Sequence, residues 1–157
     1  MTEQAEIRRL QDTLTIAGNG VIAFSVWPLA KIGLFLMLTD EDTLHRLLGI
    51  DKASLALTIY LSLGAILLID LAVRAFVGLS ARAEGQGKRR SPFYLVVAVI
   101  AAMANASSLV AIALSASSNP SPLSMMVSIA IEATTIIALA LVVYSSIRLR
   151  HMSQTKG

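Results

Sequence analysis

Residues 18 to 38 read GNGVIAFSVWPLAKIGLFLML, with a single charge, Lys31, three positions after Pro28. As a helix this run is about 30 Å long, the thickness of the hydrocarbon core of a bilayer. No soluble helix needs an apolar surface on every side, so the run predicts a membrane span. The lysine inside it then needs a partner, water or a route to the interface.

Three more such runs follow, and the predicted spans are 16–38, 54–79, 93–115 and 123–147. The 157 residues are 55% hydrophobic and 15% charged, with a mean hydropathy of +0.72. A soluble domain is nearer a quarter charged, so lipid is the expected solvent. The connections are too short to fold separately. The expected architecture is all-α: one integral membrane domain over residues 1–157, a four-helix bundle.

A secretory signal would place a basic segment before a short apolar run and a small-residue cleavage site. Here MTEQAEIRRLQDTL is mixed in charge and TDEDT follows the span, so the first helix is expected to be retained. Within residues 1–15, Ile7, Leu10 and Leu14 recur at helical spacing. That pattern predicts a short amphipathic helix at the membrane surface, before the chain turns into the bilayer.

Lysine and arginine set the expected orientation. Arg8, Arg9, Arg82, Lys88, Arg89, Arg90, Arg148, Arg150 and Lys156 fall on one side of a four-span chain, against Arg46 and Lys52 on the other. Basic residues near span ends are retained in the cytoplasm, so both termini are expected inside, in the cell (plasma or inner) membrane. Phe76, Tyr94 and Tyr144 are expected in an aromatic belt at that inner boundary. The stretch ARAEGQGKRRSP reads as a flexible connection whose Lys88, Arg89 and Arg90 can attract anionic lipid. On the outer side TDEDTLHRLLG predicts a brief helix. His45 there lies at helical spacing from Glu41 and Asp42, a pattern more typical of a solvated face than of a metal site.

Four ionisable residues lie within the spans: Lys31, Asp70, Arg74 and Glu132. Lys31 falls about 10 Å and Glu132 about 13 Å below the same outer boundary, so the two are expected to pair. Asp70 and Arg74, four apart near the inner boundary, are expected to pair on their own helix. Trp27 shares an i, i+4 row with Asn19, Ala23 and Lys31 and can cover the lysine. Pro28 has no amide hydrogen for the carbonyl of Phe24, which predicts a kink. Ser128, Glu132 and Thr135 in the fourth span, and Asn105 with Ser108 in the third, mark polar stripes that should face protein or water rather than lipid. Ala98, Ala102 and Ala106, with Ala130, Thr134 and Ala138, are the expected close-packing rows, together with GNG at the start of the first span.

No thiol, histidine pair or phosphate-cradling loop appears. The expectation is a non-enzyme with no cofactor, metal or nucleic-acid partner. It would act as an accessory, regulatory or assembly component of a homo-oligomer or a larger membrane complex. The alternative is a small ion- or proton-coupled transporter using Lys31 and Glu132.

Overall fold

A computed structural model describes residues 3–30, 33, 53–88, 90–114 and 122–154. Among them are four long helices: α1 (Glu3–Ser25), α2 (Ala53–Gly85), α3 (Phe93–Leu114) and α4 (Pro122–Gln154). No strand occurs among the described residues. Four helical segments, Gln4–Ala30, Gly64–Gly85, Phe93–Leu114 and Met126–Met152, are long and apolar enough to cross a membrane.

The chain divides into two compact units, Met1–Phe24 with Val73–Gly157, and Ser25–Ala72. The core of the larger unit draws on all four helices. Leu14, Ala17 and Val21 come from α1, Val77 and Ala81 from α2, Tyr94, Ala98 and Ala101 from α3, and Ala138, Leu139 and Val142 from α4. Five of these eleven residues are alanine, whose small side chain lets neighbouring helices approach closely. Large apolar side chains point outward instead, among them Ile100, Met103 and Ile137.

Residues 3–15 are not a separate surface helix. α1 runs unbroken from Glu3 to Ser25, and the stripe that looked like a lipid-facing surface is spent on protein. Leu10 is 8% exposed and Leu14 fully buried. After Ser25, Val26 is a turn residue and helical conformation resumes over residues 27–30, with the Ala30 amide donating to the Val26 carbonyl at 3.0 Å. The interruption falls where Pro28 withholds its amide hydrogen.

α1 and α2 approach closely at a pair of glycines. A Cβ placed on Gly18 would lie 2.8 Å from the Gly78 carbonyl oxygen, and one on Gly78 would lie 2.7 Å from the Gly18 carbonyl oxygen. Backbone meets backbone there, and only glycine fits. The GNG stretch thus packs through Gly18. A Cβ on Gly20 would meet no atom within 4 Å.

α2 extends six residues past the predicted span, into what reads as a flexible connection. It ends in a Schellman cap: Lys88 N–H donates to the Ala83 carbonyl at 3.0 Å and Gly87 N–H to that of Glu84 at 2.9 Å. Gly87 takes the required left-handed conformation, φ 82°. α3 then starts on Ser91, whose Oγ accepts from Phe93 N–H at 3.3 Å, with Pro92 at the first position where a missing donor costs nothing.

The close-packing row on α3 also differs from expectation. Tyr94, Ala98, Ala101 and Asn105 are buried, whereas Ala106, and Ala130 and Thr134 on α4, are exposed. A row spaced strictly by four drifts around the helix, and a mixed three-and-four spacing keeps one face inward.

Candidate functional site

Glu84, in the last turn of α2 and 6% exposed, accepts four hydrogen bonds from side chains. Its Oε1 accepts from Ser146 Oγ at 2.9 Å and from Arg150 Nε at 2.8 Å. Its Oε2 accepts from Tyr94 Oη at 2.7 Å and from a terminal nitrogen of Arg150 at 2.7 Å. Four donors on two oxygens call for the ionised carboxylate, since a protonated acid would turn a donor against one of them. The parallel bonds to Arg150 form the bidentate fork that guanidinium geometry favours.

Three helix ends meet at this carboxylate. Arg150 also donates to the Arg90 carbonyl at 3.0 Å, and its guanidinium carbon lies 5.8 Å from the centroid of the Tyr94 ring. Tyr94 is 1% exposed, so it belongs to this network and not to an interfacial aromatic belt. Phe76 and Tyr144 are exposed, and the Phe76 ring lies 6.5 Å from that of Phe93. With its acceptor positions filled from within the chain, Glu84 has no capacity left for a metal or a substrate.

The structure brings together two of the candidate residues read from the sequence. Arg74 and Asn105 meet: a terminal nitrogen of Arg74 donates to Asn105 Oδ1 at 2.8 Å, and Asn105 Nδ2 donates to the Ala101 carbonyl at 2.8 Å. Arg74 is 7% and Asn105 3% exposed, so this charged hydrogen bond joins α2 to α3 inside the larger unit. Asp70 lies one turn before Arg74 and is half-buried, in the smaller unit, as is Trp27. Lys31, the outer connection with His45, and Arg89 lie outside the described residues. Lys88 and Arg90 are exposed.

On α4, Ser128 and Thr135 are buried and Glu132 between them is half-buried, so the polar stripe does face protein. Thr135 returns its hydroxyl to the Ile131 carbonyl at 2.8 Å. Glu132 Oε2 is buried and has no hydrogen-bond partner among the described residues. No group of three or more potential metal ligands occurs among the described residues.

Sequence reasoning missed Glu84, Tyr94, Ser146 and Arg150 as a unit. The available signal was one acid inside a strongly basic connection, Glu84 between Arg82 and Lys88, which a topology reading treats as noise. The described residues therefore form an all-helical structure with four helices long and apolar enough to cross a membrane and an ion-paired polar centre at the ends of three of them. No protein-family model, curated protein or solved structure matches it.

Proposed function

We propose that this chain is a multi-pass membrane protein with both termini cytoplasmic, working as an accessory, regulatory or assembly component of a homo-oligomer or larger membrane complex. One observation carries the reading. The buried charges Glu84 and Arg74 are bonded to side chains of the chain itself, the disposition of groups that fix helix register rather than pass an ion along. Glu84, saturated with donors, carries no open acceptor position for a substrate.

Glu132 Oε2, without a hydrogen-bond partner among the described residues, favours a second reading, a proton- or ion-coupled transporter in which Glu132 works with Lys31. An oxygen with no donor among the described residues is an open acceptor position inside the bundle.

The assembly reading is tested by extracting the tagged chain with its surrounding lipid into polymer nanodiscs and measuring the protein mass. The expected result is a species heavier than one 16.7 kDa chain. A lone chain would overturn the reading.

A further inference from the structure

Between α1 and α4 of the larger unit runs a groove whose character changes along its length. One end, about 290 Å³, is walled by Ile16, Gly20, Thr134, Ile137 and Leu141. Thr13 also lines it, yet Thr13 and Thr134 both donate their hydroxyls to the backbone one turn back, to Arg9 and Ala130. Their methyl groups are left for the slot, which is therefore nearly all carbon.

The other end, about 570 Å³, shares Thr13 and Leu141 with the slot and opens among Glu6, Arg9, Tyr144, Ser145 and Arg148. Arg148 is ion-paired with Glu6 and donates to Tyr144 Oη at 2.7 Å. Two arginines against one glutamate leave this end with a net charge of +1. Ser145, 1% exposed, lines it with a buried hydroxyl that has no hydrogen-bond partner among the described residues.

We propose that this groove binds an anionic phospholipid of the bilayer, with one acyl chain in the slot and the phosphate against Arg9 and Arg148. Length and charge both fit. Thr134 to Arg148 spans about 21 Å of helix, which matches one leaflet at about 15 Å of hydrocarbon plus about 6 Å of interface. The basic end coincides with the N-terminal turns of α1 and the C-terminal turns of α4, the ends that the distribution of basic residues assigns to the anionic cytoplasmic leaflet. A helix of a second copy would have to bring an acid to Arg9, whereas a lipid phosphate supplies that charge itself. The inference rests on the membrane reading of the chain and is independent of its assembly role.

The test is native mass spectrometry of the delipidated full chain in detergent, offered equal amounts of phosphatidylglycerol and phosphatidylcholine. Phosphatidylglycerol should be retained roughly fivefold over phosphatidylcholine, the equivalent of about 1 kcal/mol for one basic residue facing an anionic headgroup. Gly20→Phe fills the slot from a position whose Cβ meets no atom within 4 Å, and should abolish retention of both lipids. Arg9→Gln, at an exposed position, should erase the preference while leaving some retention. It decides the matter even if Gly20→Phe fails to fold. Arg82→Gln, at an exposed position outside the groove, should change nothing. Equal retention of the two lipids by the unmodified chain would overturn the proposal. So would a Gly20→Phe variant that keeps its lipid but loses a dimer, which would make the groove an interface between copies.

Discussion

Glu84 and Arg150, 66 positions apart, close a bidentate ion pair of 2.8 and 2.7 Å that joins the C-terminal turns of α2 and α4. Glu84 is nearly buried, so a lone Arg150→Met change strands a carboxylate whose main counter-charge is gone. Thermal or denaturant unfolding in detergent should show a loss of about 2–4 kcal/mol for Arg150→Met and for Glu84→Gln taken singly. The double variant should recover a large part of that loss, because contacting residues are not additive. Strictly additive losses would mean that the pair contributes nothing to stability.

The crossing at Gly18 and Gly78 makes a sharper contrast. In Gly78→Ala a methyl would sit 2.7 Å from the Gly18 carbonyl oxygen, and overpacking of this kind costs about 1–3 kcal/mol. Gly20→Ala, two residues from Gly18 but facing open space, should stay within about 0.5 kcal/mol of the unmodified protein. Equal effects at the two positions would refute the close approach.

These two sites differ in how far the sequence reveals them. The four helices were legible because an apolar run of bilayer length has few other uses, and the interruption near Pro28 was legible because proline removes a specific donor. The fate of residues 3–15 was not. Ile7, Leu10 and Leu14 form an apolar stripe whether lipid or protein covers it, and only the tertiary structure shows Leu14 fully buried. Glu84 was hidden for a related reason. Its partners Tyr94, Ser146 and Arg150 are scattered through the chain, and each has an ordinary local explanation, as belt aromatic, small packing residue or topology signal. Arg74 was recognised as a buried charge needing a partner, but its bond to Asn105 crosses 31 positions, beyond the reach of a helical-spacing argument.

Asn105→Leu should therefore cost stability out of proportion to its size. It removes the acceptor of a charged hydrogen bond and leaves a guanidinium nitrogen of a buried arginine to find another partner. A loss of about 1–3 kcal/mol is expected in detergent unfolding, whereas Ser107→Leu, at an exposed position on the same helix, should be nearly neutral. Matching losses would place the Arg74 interaction among the dispensable ones.

Topology is checked with single cysteines in a chain that has none of its own. Gln86, exposed beside the α2 cap, is preferable to Glu84, whose replacement would dismantle the ion pair. With both termini inside, Gln86→Cys should resist an impermeant maleimide in intact cells and Asn119→Cys should react. Labelling of both from outside would contradict the four-span arrangement.

The central claim is that the chain's buried charges serve packing and assembly and do not move an ion. Glu132, whose Oε2 has no hydrogen-bond partner among the described residues, is the residue on which that claim is most exposed. The direct measurement is collapse of an imposed pH gradient in proteoliposomes holding either the unmodified chain or Glu132→Gln. The account predicts that both decay no faster than protein-free vesicles. A proton flux that is present in the unmodified chain and abolished in a folded Glu132→Gln variant would contradict it.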